Sequence, residues 1–297
     1  MQLAILLEDF CHESTYIRGV SKNTIRRYRQ NISYFITATD SQTIQKVNEQ
    51  VVKKFFLHGR IEKQWKTSSY RTYYMTLVVF FRWCIKQGHL EQNPMEDFQL
   101  PILEKSLPKK LKKQEALLLL EYAYNYPYTQ SYLKYRNHAI FSTFLFAGLR
   151  KSELLHLKLS DVDLENLTLF VRQGKGNKDR IIPISYTLAQ SLNRYLLARK
   201  KSRKTCPEFF TSSNRNGGFT ASGLKIITKQ IKTASKLDFT IHKLRHTFAT
   251  LMLEGGCDIF SLSKMMGHSD IKTTTIYLSA TAEHLRSQVT KHPLNRK

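Results

Sequence analysis

Acidic residues are scarce in this chain: 23 Asp and Glu stand against 47 Lys and Arg among 297 residues. The residues able to carry chemistry share that shortage, and their inventory suits neither glycoside hydrolysis nor two-metal cleavage, which need acidic residues. Cysteines are fewer still. Cys11, Cys84, Cys206 and Cys257 have no zinc-site spacing and make no dense disulfide framework, so they read as ordinary thiols of a reducing cytoplasm. Long apolar runs are missing too. The opening "MQLAILLEDF" holds only Leu3 to Leu7 before Glu8 and Asp9, too short for a membrane span or signal peptide and without a basic flank. Internal repeats and long low-complexity tracts are also missing.

What is abundant is positive charge. The formal net charge is +24 and the isoelectric point is near 9.9, a field that draws polyanions, nucleic acid first among them. An anionic membrane surface is the rival, but it would favour a basic amphipathic helix, an apolar anchor or a lipidation signal. Net charge alone speaks for it, so no membrane partner is expected. Hydrophobic residues at 41% and charged residues at 24% suit a soluble globular protein, and the length suits two domains.

The expected fold is mainly α: a four-helix N-terminal bundle over 1–103, a basic linker over 104–114, and an α+β domain over 115–297 with a small antiparallel sheet. "SKNTIRRYRQNISYFI" opens on Ser21 as a cap and gathers Ile25, Tyr28, Ile32, Phe35 and Ile36 on one face. Arg26, Arg27 and Arg29 fall largely outside that face. "TSSYRTYYMTLVVFFRWCIKQG" predicts a second helix from Thr67 or Ser68 that stops at Gly88, and helices near 2–14 and 44–58 complete the bundle. Between the domains, Pro101, Pro108 and the lysines 105, 109, 110, 112 and 113 predict an extended, exposed connection. Residues 101–113 could span roughly 40 Å, enough to pass alongside a duplex. Lys109, Lys110, Lys112 and Lys113, with Arg26 and Arg27, are therefore candidate phosphate contacts. Further on, helices are expected near 115–127, 135–147, 187–201, 222–235 and 243–255, with strands near 167–173 and 180–184 around the Gly174–Gly176 turn.

The chemistry-bearing residues are dispersed. Arg150 follows the apolar stretch "FLFAGL" and precedes Ser152, a candidate cap; it needs a partner or an anionic ligand, and Glu153 could hold it. Lys175 sits on a glycine-rich tip that has neither nucleotide-binding fingerprint. His242 and His246 are four apart, a metal-pair spacing, but Lys243 occupies the place where a metalloprotease needs glutamate. No metal site is expected. His242 and Arg245 share a helical face instead, and His246 reads as a structural histidine with a satisfied partner. His268 and Tyr277 lie nine positions apart across three consecutive threonines, in "KMMGHSDIKTTTIYLSAT". Together these groups suit holding a phosphodiester with cations while a side chain attacks it.

At this point the sequence resembles a known family, the tyrosine recombinases or phage-type integrases, and within it the short two-domain Xer recombinases. "AGLRKSELLHLKLSDVD" resembles the first arginine box, "GKGNKDRIIPI" the lysine hairpin, and "HKLRHTFATLMLEGGCDIFSLSKMMGHSDIKTTTIY" the second box. The likeness covers nearly the whole chain. Its departures are Ala147, where threonine is common, and Met265–Met266, where leucines are common. The resemblance implies Tyr277 as nucleophile, forming a 3′-phosphotyrosine. It implies Arg150 and Arg245 as the clamp on the non-bridging oxygens and Lys175 as proton donor to the 5′-oxygen. His242 would assist proton transfer at Tyr277, His268 would donate to the phosphorane, and Glu153 would orient Arg150.

The same resemblance implies no cofactor and no metal. It implies double-stranded DNA with inverted core-site repeats as partner, and a homotetramer, or a heterotetramer with a related recombinase, working through a Holliday junction. A directionality or accessory factor and a C-terminal tail that docks on a neighbouring protomer belong to that expectation, as does a cytoplasmic, nucleoid-associated location. Two other readings stay open: a DNA-binding regulator of the same fold without catalysis, and an enzyme like a type IB topoisomerase.

Overall fold

A computed structural model describes residues 1–102, 109–172, 179–268 and 270–278. By contact density the chain divides into two units, Met1–Lys105 and Ser106–Lys297. Among the described residues the structure is mostly helical, with one small sheet. No helix among them is long and apolar enough to cross a membrane.

The first unit is a bundle of α1 (Leu3–Tyr16), α2 (Lys22–Thr39), α3 (Glu49–Ile61) and α4 (Thr67–Lys86). Ser21 caps α2 by accepting from the Thr24 amide at 3.3 Å, and Ile32 and Phe35 are buried on the face its periodicity marks. Phe10, Phe35, Phe55, Phe80 and Phe81 interlock edge-to-face or tilted at the centre. The third helix starts later than expected. Ile44–Lys46 is a separate 3₁₀ turn, and Asn48 accepts from the Val51 amide at 3.0 Å to cap α3. Arg26 and Arg27 are exposed on α2, whereas Arg29 is tied to Glu8 at 2.5 Å.

In the second unit α5 (Lys113–Asn125), α8 (Tyr186–Lys201) and α10 (Ile241–Glu254) pack around α6 (Ser131–Ala147). The central helix is buried on nearly every face, as expected of a helix that is apolar all round. A meander of β1 (Val162–Asp163), β2 (Thr168–Val171) and β3 (Arg180–Pro183) pairs Leu169 with Ile182 and Phe170 with Ile181. Residues 173–178, with Lys175 and the turn expected there, lie outside the described residues. The helices α7 (Lys151–His156), α9 (Ala221–Ser235), α11 (Ile259–Met266) and α12 (Lys272–Thr275) complete this unit.

Two details correct the sequence expectation. Ser152 does not cap α7: the cap residue is Arg150, whose amide donates to the Glu153 carboxylate at 2.7 Å. The basic linker is also not wholly exposed. Leu111 is 1% exposed, its amide donates to Thr247 Oγ1 at 2.9 Å, and Lys110 pairs with Glu254. Lys112 and Lys113 already form the cap and first residue of α5. One apolar residue and one carboxylate 144 positions away thus hold a segment whose composition looked like tether.

Gly148 ends α6 at φ +59°, and a Cβ there would lie 2.2 Å from the Phe248 ring. Gly148→Ala should therefore cost more than the roughly 1–2 kcal/mol of a left-handed backbone alone, because the ring must also move. Chemical denaturation of the variant checks this; an unchanged midpoint would contradict the close approach.

Candidate active site

The site is assembled at the N-terminal part of α10, the turn before α7, the start of β3 and the chain around α11 and α12. Thr240 caps α10 by accepting from the Lys243 amide at 3.1 Å, so the helix begins at Ile241 and His242 lies in its first turn. One turn of helix then carries the half-buried His246 beside the buried Arg245 and leaves His242 exposed.

Glu153 is the centre of charge. Its carboxylate accepts from Arg150 Nη1 at 2.7 Å and from both terminal nitrogens of Arg180, at 2.9 and 2.8 Å. Arg245 Nη1 lies 4.0 Å from it. Burial alone would raise this carboxyl. The hydrogen bonds and charge of Arg180, with those of Arg150, outweigh that and hold it at about 2. Arg180 makes the planar two-pronged contact that only arginine can make, and its Nε also donates to the Met265 carbonyl at 2.8 Å. Sequence reading passed over it, because an arginine in the alternating "DRIIPI" looks like the outward residue of a strand.

Arg245 is oriented by backbone. It donates to the carbonyl of Gly148 and, at 2.6 Å, to that of Met266; Arg150 Nη2 donates to the Gly267 carbonyl at 2.9 Å. These contacts explain why methionines at 265 and 266 are compatible with the site: the carbonyls, not the side chains, do the holding. Burial and the neighbouring Arg150 lower the Arg245 guanidinium to about 10, so it stays cationic at neutral pH. Three guanidiniums around one carboxylate leave an excess of two positive charges. A buried excess of that size calls for an anion.

His268 joins the same cluster. Its Nε2 lies 3.3 Å from Arg245 Nη2 and its Nδ1 lies 2.8 Å from Thr274 Oγ1, which fixes the ring plane. Tyr277 is 2% exposed and shares a small core with Phe248, Leu262 and Met266. Burial raises its phenol, while Arg245 and Arg150 act in the opposite direction. The ring on its hydroxyl is His246, with Nδ1 at 2.8 Å; the His242 ring rests edge-on against His246, centroids 4.2 Å apart. The Tyr277 hydroxyl thus lies within hydrogen-bond distance of the histidine one turn on from His242. His246 is satisfied, as its sequence suggested, but by Tyr277.

The structure therefore brings together Arg150, Glu153, Arg245, His268 and Tyr277, sets His242 at their edge, and adds Arg180 and His246. Lys109, Lys112 and Lys113 are exposed. Lys110 is part-buried and ion-paired with Glu254. Among the described residues no three His, Cys, Asp or Glu side chains are grouped to hold a metal ion. The arrangement can hold a tetrahedral anion against buried cations beside a tyrosine whose hydroxyl touches a histidine.

Residues 109–284 match the phage integrase family, and residues 6–89 match the phage integrase N-terminal SAM-like domain. The chain belongs to the phage integrase family of tyrosine recombinases. It is 34% identical to the tyrosine recombinase XerA of Pyrococcus horikoshii, over 97% of this chain and 94% of that protein. To XerD of Listeria monocytogenes it is also 34% identical, over 95% of this chain and 96% of that protein. In fold it resembles XerH site-specific recombinase bound to palindromic difH substrate in a post-cleavage complex. The TM-score there is 0.72 at 22% identity, with 96% of this chain and 83% of that one covered. Relative to this Xer-like recombinase frame, Arg180 and His246 are the two site residues that reading the sequence did not pick out.

Proposed function

We propose that this chain is a site-specific DNA recombinase that cuts and rejoins strands through Tyr277. The observation that carries the reading is the tyrosine hydroxyl, held by a histidine in the field of a guanidinium cluster with two positive charges in excess. A phosphodiester brings one negative charge to such a site, and the five-coordinate phosphorane brings two. The cluster therefore favours the transition state over the ground state. Arg150, Arg245 and His268 would hold the non-bridging oxygens, and Lys175 would protonate the departing 5′-oxygen. His242, at the exposed edge, would assist proton movement. Glu153, itself held by Arg180, fixes Arg150, and the carbonyls of Gly148 and Met266 orient Arg245. The energy of the broken bond is kept in the phosphotyrosine, so rejoining needs neither nucleotide nor metal.

The partner in this reading is double-stranded DNA with inverted core-site repeats, bound by four protomers, or by two pairs with a related recombinase, which exchange strands through a Holliday junction. The site of action is the cytoplasm, on the nucleoid. The likeness to XerA, XerD and XerH, the last bound to palindromic difH substrate in a post-cleavage complex, supports DNA as the partner.

The test is covalent capture. Nicked duplexes drawn from DNA flanking the coding sequence are incubated with the chain, run on a denaturing gel and sequenced from the adduct. A DNA–protein adduct whose linkage maps to Tyr277 is the expected result. Specific binding without an adduct would replace this reading with that of a regulator.

The basic residues give a separate prediction. Binding should weaken with salt at a log–log slope of about −0.9 per phosphate contacted. Replacing Lys109, Lys112 and Lys113 by Gln should flatten that slope by up to about 0.9 for each residue in contact. Lys110→Gln should leave it nearly unchanged, since Glu254 already matches that charge. Binding isotherms across a salt series decide it, and an equal effect of all four lysines would contradict the pairing.

A further inference from the structure

The proposed reaction leaves the tyrosine's own proton without a direct acceptor, and the geometry supplies one. We infer that His246 is the catalytic base for Tyr277: its Nδ1 takes the phenolic proton during cleavage and returns it during rejoining. This inference rests on the strand-transfer reading above and assigns one of its steps to a residue.

Contact and protonation state carry the inference. The Tyr277 hydroxyl and His246 Nδ1 are 2.8 Å apart, hydrogen-bond distance for a proton in transit. His246 is part-buried, and burial, with His242 and Arg245 beside it, lowers its ring to about 4. It is therefore neutral at pH 7 and has a lone pair to offer. A phenolic hydroxyl is a stronger acid than the N–H of a neutral imidazole, so with the ring proton on Nε2 the hydroxyl donates and Nδ1 accepts. A ring held so low is a weak base while the site is empty of DNA. The phosphodiester offsets part of this, because its negative charge lies against Arg245, one of the charges that lower the ring beside the larger effect of burial. Basicity at Nδ1 thus rises when the substrate is seated.

The step balances. The Tyr277 oxygen bonds to phosphorus as its proton moves to His246 Nδ1, and the phosphorus–5′-oxygen bond breaks as that oxygen gains a proton from Lys175. Rejoining runs each transfer backwards. The charged and titratable groups around the ring are His242 and Arg245 on its own helix, Tyr277 beyond α12, and Arg150, whose charge reaches Tyr277.

Two measurements on the full chain test the assignment. In nitrogen-labelled histidine spectra of the DNA-free protein, His246 should show an unprotonated Nδ1 near neutral pH, shifting in Tyr277→Phe; His246→Gln identifies the signal. A protonated Nδ1, or a signal indifferent to Tyr277→Phe, overturns the contact. In single-turnover adduct formation on the captured duplex, His246→Gln should be slower by about 10²-fold or more at pH 7, with unchanged DNA retention. Its rate should climb with pH where the unsubstituted chain's is nearly flat, since solvent hydroxide must do the ring's work.

A substrate with sulfur at the 5′-bridging position separates the roles. It leaves without an acid, so it should restore Lys175→Ala and leave His246→Gln slow. An unimpaired His246→Gln, or one slowed equally at every pH, overturns the base assignment while the recombinase reading stands. No adduct from the unsubstituted chain would overturn both.

Discussion

Tyr277→Phe should bind DNA with undiminished affinity and form no covalent adduct on any duplex that traps the unsubstituted chain. Chemistry and stability come apart in this variant because the residue contributes to them through different atoms. The ring is 2% exposed and shares its surroundings with Phe248, Leu262 and Met266, and phenylalanine fills the same space. The hydrogen bond to His246 is lost, at a cost of about 1–2 kcal/mol for a buried polar group deprived of its partner. The nucleophile is lost entirely. Burial also holds the phenol above its ordinary value of about 10, so in the free chain it stays protonated through neutral pH and needs the bound anion, the arginines and a base before it attacks. A denaturing gel beside a denaturant titration reads both effects. A surviving adduct would move the nucleophile elsewhere; a chain that unfolds outright would show that the hydroxyl serves stability first.

Much of this site was legible because it rests on local rules. Ser21 before a helical periodicity marks a cap, and the cap is there. Arg150 and Glu153, three apart at a helix start, can meet whatever the rest of the chain does, and they do. The spacing of His242 and Arg245 placed both on α10. Where the sequence misled, the cause was distance along the chain. Thr247 and Glu254 take hold of the basic segment from 136 and 144 residues away, and lysine-rich composition cannot announce that. Arg180 meets Glu153 across 27 residues and Met265 across 85. His246 reads from the sequence as a satisfied structural histidine, and nothing local announces that its partner is Tyr277, 31 residues on. The carbonyls of Gly148, Met265, Met266 and Gly267 that orient the arginines have no side-chain signature. Only the glycines hint at them, and Gly267 does so through its φ of +61° and its close approach to Arg180.

Glu153→Gln should be the most damaging single change to the fold of the site. The substitution keeps the shape and replaces one acceptor by a donor, facing nitrogens of Arg180 and Arg150 that also donate. Three clustered guanidiniums then share no carboxylate, and an uncompensated buried charge costs about 3–5 kcal/mol. The pH dependence separates this from a packing defect. In the folded chain the carboxyl sits near 2, below its ordinary 4.5. Its contribution is therefore fully present above about pH 4.5 and is lost as the pH falls towards 2. That displacement corresponds to about 3 kcal/mol, in line with the cost expected from removing the charge. Urea midpoints of the two chains should differ widely at pH 7 and converge across that acid interval, whereas a packing defect would keep them apart. Catalysis should suffer too. With Arg150 and Arg180 no longer fixed, a shift of about 1 Å in the clamp is enough to slow adduct formation about 10²-fold, even where the variant is folded. Single-turnover rates measured well below the unfolding midpoint test this, and a Glu153→Gln chain that cleaves at the normal rate would show that the clamp is oriented by its backbone contacts alone.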